Sequence, residues 1–85
     1  MSYTVVWTSS AERELADAWL SSTNRPGVTS AGHQIEDQLR LDPLHAGEAR
    51  GSNVTRVAVL PPLAVLFDVI EDDKRVLIRA VSLFS

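Results

Sequence analysis

Three apolar runs fill the second half of this chain, at residues 54–60, 63–70 and 75–83, parted only by Pro61-Pro62 and by Glu71-Asp72-Asp73-Lys74. Runs this short, bounded by prolines and by a polar turn, read as strands of one sheet. Pro61-Pro62 donates no ladder hydrogen bonds, so it belongs between strands or on an edge. Glu71-Asp72-Asp73-Lys74 reads as a hairpin turn. In the middle run Leu63, Val65, Phe67 and Val69 alternate with Ala64, Leu66, Asp68 and Ile70. Both faces are largely apolar, which suits a central strand with helices on one side. The other side then offers a surface for a partner.

The first half carries the helical period. Tyr3-Thr4-Val5-Val6-Trp7 is aromatic and β-branched and reads as a first strand. Ser9-Ser10-Ala11-Glu12 fits a capping box, with Ser9 as the cap. Ala11, Leu15, Ala18 and Trp19 then share one helix face, with both Trp7 and Trp19 expected as core anchors. Ser21-Ser22-Thr23-Asn24 ends that helix, and Arg25-Pro26-Gly27 reads as a turn. Val28, Ala31, Ile35 and Leu39 define a second amphipathic helix, in which Gly32 points to close packing of the two helices. Asp42-Pro43 stops it. A strand, a helical hairpin and then sheet make an α+β fold in one domain, residues 1–85.

Composition narrows the function classes. The chain has no cysteine, which removes disulfides and thiolate metal sites. Its two histidines, His33 and His45, have no paired spacing, and Asp68 with Glu71, Asp72 and Asp73 lacks metal-ligand spacing. No metal or cofactor is expected. No apolar run reaches the roughly 18–20 residues of a bilayer span, and no basic leader precedes the first strand, so a cytoplasmic protein with no membrane partner is expected. Eight Lys and Arg against eleven Asp and Glu give a net charge of −3. A surface that embraces nucleic acid is strongly basic, and this one is not. Residues 1–44 hold Arg13, Arg25 and Arg40 against six acids, so an anion site must be local and in the second half.

Four residues there are candidates. Arg50 lies between Gly47 and Gly51, where backbone can approach a partner and a guanidinium can grip a phosphate or carboxylate. Arg56 is placed mid-strand, facing solvent beside Arg50 or Arg79, or else paired across the sheet with Asp68 or Glu48. Arg79 is the third cation. His45 could serve as an acid or base near neutral pH. Leu83 and Phe84 either close the core or form an apolar patch for a partner.

Taken in order, Tyr3 to Trp7, Ala11-Glu12-Arg13-Glu14-Leu15, Ile35 with Leu39, Asp42-Pro43, the Gly47–Gly51 loop with Arg50, and Pro62-Leu63-Ala64-Val65-Leu66-Phe67 resemble the RelE/ParE superfamily of type II toxin–antitoxin toxins. The resemblance spans nearly the whole chain. It implies a β-α-α-β-β-β fold with the helical hairpin packed on a mostly antiparallel, twisted sheet. It implies a toxin of a plasmid-stabilisation module that a cognate antitoxin wraps and neutralises, as a homodimer or a heterotetramer with the antitoxin. Its target would be the ribosome with its mRNA, or DNA gyrase. The ribonuclease members carry several basic groups and a C-terminal tyrosine. Here the second strand offers Arg56 and then Ala58, Ala64 stands at the third-strand arginine position, and the segment from Arg79 runs to Ser85 without a further Arg or a Tyr. RNA cleavage needs a base, an acid and cations for the phosphorane charge, and arginine is a poor proton shuttle. The resemblance therefore implies three alternatives: an antitoxin-bound toxin, a ribosome-dependent mRNA endonuclease with a modified site built on His45 and the arginines, or a non-toxic paralogue that binds proteins.

Overall fold

The computed structural model of this chain describes residues 2–44, 48–49 (backbone only) and 55–83. Its first strand, β1 (Thr4–Trp7), leads directly into helix α1 (Ser9–Ser21), and α2 (Arg25–Leu41) follows. The sheet is completed by β2 (Glu48–Ala49), β3 (Thr55–Leu60), β4 (Leu63–Ile70) and β5 (Arg75–Leu83). The strand order is β1-β5-β4-β3-β2. The β2–β3, β3–β4 and β4–β5 pairs are antiparallel, and β1 lies parallel to β5. The expected α+β layout holds, with the two-residue β2 added at one edge.

Local chemistry explains the junctions. Thr8, one residue before the expected cap, is the N-cap of α1: its hydroxyl accepts from the Ala11 amide at 3.2 Å and donates to the Ile78 carbonyl at 2.9 Å. The Thr8 amide bonds the same carbonyl at 3.0 Å. Position 8 wins over Ser9 because one hydroxyl both starts the helix and closes the β1–β5 ladder. Residues 25–27 are likewise not a free turn but the first turn of α2, capped by Asn24, whose side-chain oxygen accepts from the Gly27 amide at 3.2 Å. Pro26 is tolerated there because its missing amide would have had no intrahelical partner. Arg25 reaches back to the Trp19 carbonyl (3.1 Å) and the Leu20 carbonyl (3.2 Å), and stacks over the Trp19 ring at 4.6 Å from its centre. Orphan carbonyls of α1 are thereby satisfied by the start of α2, which holds the hairpin tight.

The core lies between the helix pair and one face of the sheet. Burial along β4 alternates strictly, with Leu63, Val65, Phe67 and Val69 inside. They meet Val76, Ile78 and Val81 of β5, Ala11 and Ala18 of α1, and Val28, Ala31, Ile35 and Leu39 of α2. Beyond Ile78 no strand among the described residues lies beside the outer edge of β5, because β1 has ended. There Glu14 of α1 accepts from the Val81 amide at 2.8 Å, so a helix side chain covers an otherwise open strand edge. Trp7 is half-buried and donates to Glu36 at 2.8 Å. Trp19 departs from its expected role as a core anchor: it is 40% exposed on the outer side of the hairpin.

At the other end of the sheet the Tyr3 hydroxyl donates to one Glu71 oxygen and Lys74 donates to the other at 2.9 Å, which pins the chain start to the β4–β5 turn. Lys74 takes a left-handed φ of 50°, and its carbonyl accepts from the Thr4 amide at 2.8 Å. The Glu71 carboxyl is held below its usual range, first by the Tyr3 hydrogen bond and then by Lys74. The same contact with Glu71 raises Tyr3 and Lys74.

Two outcomes are expected. A Cβ built on Gly32 would stand 4.0 Å from Leu15, an ordinary contact, and no left-handed φ is required there. Gly32→Ala should therefore stabilise the protein by about 0.5–1 kcal/mol, raising Tm by roughly 2–8 °C in a thermal melt. For Glu71, a lowered folded-state pKa gives stability that is complete above the ordinary carboxylate value of about 4.3 and is lost as pH falls through the lowered one. Glu71→Gln should melt below the unsubstituted protein at pH 7, and the gap should close near pH 3; a gap of unchanged size there would refute the assignment.

Candidate basic and partner-binding surfaces

The register of β3 on β4 decides where the candidate arginines point. Arg56 stands opposite Phe67, Ala58 opposite Val65 and Leu60 opposite Leu63, so these three lie on the helix-covered face. Thr55, Val57 and Val59 stand opposite Asp68, Leu66 and Ala64 on the other, open face. On the β5 side, Leu66 pairs with Ala80 while Phe67 pairs with Ile78, so Arg79 is the extra residue of a β-bulge. Arg79 follows the inward-facing Ile78 and so lies on the open face, where it donates to Asp68 at 3.4 Å; the bulge adds Ala80, opposite Leu66, to that face and returns Val81 to the core.

Arg56 and Arg79 are thus separated by the thickness of the sheet, and the cluster in which Arg56 faces solvent beside Arg79 is not formed. Nor does Asp68 pair with Arg56. Its other oxygen takes the Thr55 hydroxyl at 2.8 Å, so neighbours on both flanking strands converge on the one acid of β4. Alternation along β3 alone could not reveal this, because Val57 and Val59 look like its inward set and only the pairing with β4 puts Arg56 and Ala58 on the helix side. Arg50, His45 and Phe84 lie outside the described residues. Leu83, at the end of β5, is 39% exposed.

The open face is mostly apolar. Val6, Val57, Val59, Leu66, Ile70 and Leu77 belong to it by register, and Val59 is 58% exposed. Asp68, Arg79 and Arg75 supply its charges. Arg79 is the cation best placed to meet an anion: its side chain is 54% exposed, and its pairing with an Asp68 that is 17% exposed is long. Such a guanidinium can bind phosphate or stabilise charge but cannot move a proton near neutral pH. Among the described residues no cluster of His, Cys, Asp or Glu stands ready to hold a metal. Among them, too, no helix is long and apolar enough to cross a membrane.

This architecture is the RelE/ParE toxin fold. A chain of the toxin–antitoxin complex RelBE2 from Mycobacterium tuberculosis superposes with a TM-score of 0.79, at 23% identity, over 98% of this chain and 99% of that one. The isolated E. coli RelE toxin superposes at 0.71, with 19% identity over 98% of this chain and 85% of its own. A chain of the chromosomal ParDE toxin–antitoxin system from P. aeruginosa also gives 0.71, with 16% identity over 98% and 97%. No family model and no curated protein matches the sequence. The resemblance read from the sequence therefore holds for the fold.

The Asp68–Arg79 contact is expected to be weak. A double-mutant cycle of Asp68→Asn with Arg79→Met, read by denaturant unfolding, should give a coupling of about 0.2–1 kcal/mol, the range of exposed pairs. A coupling above about 2 kcal/mol would make Arg79 a structural residue.

Proposed function

We propose that this chain is the toxin component of a type II toxin–antitoxin module, held inactive by a cognate antitoxin and directed at translation or at DNA gyrase. The observation that carries the reading is the whole-chain likeness to the RelBE2 complex chain, at 98% and 99% coverage, together with the likeness to isolated RelE. A small domain that leaves one sheet face apolar and uncovered by its own helices also suits a life spent bound to another protein. Arg79 on that face is the residue proposed to touch the target.

Between the two targets, the separation of Arg56 from Arg79 favours a binding toxin over a nuclease. A phosphoryl-transfer site needs several cations and a proton shuttle converging within a few ångströms. On the described open face Arg79 and Arg75 are the cations, and no histidine stands beside them. A nuclease would have to draw on His45 and Arg50.

The test is tightly controlled induction of this chain alone in a bacterial host. Growth arrest is expected, and mapping cleaved transcripts against DNA breaks separates ribosome from gyrase. Arg79→Ala should relieve the arrest, because truncating one side of a desolvated charge contact to a target costs about 2–5 kcal/mol of binding. Arg56→Ala, on the opposite face, should leave it intact, with thermal melts confirming that both variants fold. Normal growth with abundant folded protein would overturn the toxin reading in favour of a non-toxic binding module.

A further inference from the structure

The open sheet face carries its charges in a self-complementary arrangement. Asp68 of β4 and Arg79 of β5 sit side by side on adjacent strands. The Asp68 side chain is only 17% exposed, with one oxygen on the Thr55 hydroxyl at 2.8 Å and the other on Arg79 at 3.4 Å. Val6, Val57, Leu66, Ile70 and Leu77 surround the pair by register. A carboxylate on an apolar face loses hydration, and one long contact with a half-exposed guanidinium returns at most about 1 kcal/mol. Stability of the lone chain therefore gives no reason for an acid there.

A two-fold axis supplies one. An axis lying in the plane of the face, along the seam between β4 and β5, lays each β4 over the β5 of a second copy and each β3 over its β1. Asp68 of each copy then meets Arg79 of the other, so two acids and two bases alternate around the axis with no net charge. The same rotation sets Leu66 and Ile70 over the β5 of the second copy, and Val57 beside its Val6. Strand directions stay aligned, an ordinary packing of two sheets about 10 Å apart. The groove between α1 and α2 has no such property. Glu12 and Glu36 border it, and no lysine or arginine is among its described lining residues, so two copies of that surface would repel.

We propose that this chain pairs with itself through the open sheet face, as an isologous dimer centred on Asp68 and Arg79. Four strands about 4.8 Å apart and about six residues long give a face of roughly 20 by 20 Å, or about 800 Å² across the pair. Stable interfaces bury about 1,200–2,000 Å², so this dimer belongs to the weak class, dissociating at about 10–100 µM. On the toxin reading the dimer keeps Arg79 from a target, but the pairing itself does not depend on that reading.

Sedimentation velocity of the full chain between about 5 µM and 1 mM should show a concentration-dependent shift from monomer to dimer. Asp68→Lys leaves two bases at the seam, and Arg79→Glu leaves two acids. Each alone should weaken association at least about tenfold, and an equal mixture of the two should form a heterodimer at least as tight as the natural dimer. Val6→Lys, at a position 39% exposed in the lone chain, sets a cation against the β3 of the second copy. It should abolish pairing and leave the melting curve in place, which keeps the test decisive even where Asp68→Lys fails to fold. A chain that stays monomeric across that range, a dimer indifferent to Arg79→Glu or to Val6→Lys, or folded charge variants that fail to pair with each other would each overturn the assignment. Growth arrest without a dimer removes the pairing and keeps the toxin reading; a dimer without arrest does the reverse.

Discussion

Phe67, fully buried at the middle of β4, lies where every layer of the molecule meets. It pairs with Ile78 on one side and with Arg56 on the other, and the inner faces of both helices close over its strand. Burial of side chains such as Leu63, Val65, Phe67 and Val69 stabilises by roughly 1.5–3 kcal/mol each. Between described residues, the ion pairs of Arg40 with Glu36 and Asp37, Lys74 with Glu71 and Arg79 with Asp68 are all at least partly exposed. Exposed pairs contribute between nothing and about 1 kcal/mol. The stripe on β4 therefore dominates, and the charges trim and orient a fold that the stripe already dictates.

The same stripe forces the division of labour between the two faces. Residues inside on β4 commit their register partners on β3 and β5 to the helix side, Arg56 among them. Whatever alternates with them is committed to the open side, where Thr55 and Arg79 converge on Asp68. Arg79, two residues on from Leu77, falls on that side by simple alternation. Edge management follows from the same arrangement: β1 covers β5 as far as Ile78, and Glu14 covers what remains at Val81.

Two apolar surfaces are left on a domain of this size, one on the sheet and one on the helical hairpin. They differ in charge. The sheet face carries Arg79 and Arg75 beside Asp68, while the helical groove carries Glu12 and Glu36.

By itself the sequence determined the strand–hairpin–sheet order. The period-two alternation of residues 63–70, the 3.6-residue spacing of Val28, Ala31, Ile35 and Leu39, and the stop at Asp42-Pro43 are local patterns that backbone geometry reads directly. The RelE/ParE likeness followed from that order. What only the tertiary structure decided were matters of which neighbour is present. Thr8 displaced Ser9 as the cap because β5 offers the Ile78 carbonyl, residues 25–27 joined a helix because Asn24 and the end of α1 could satisfy them, and Trp19 turned outward to stack under Arg25. Arg56 and Arg79 parted company because the register of β3 on β4 sets Arg56 opposite the buried Phe67, while Arg79 stands next to the buried Ile78 and faces the other way. That register leaves no mark in composition or periodicity, since it is set by pairing across the sheet rather than by the residues of one strand.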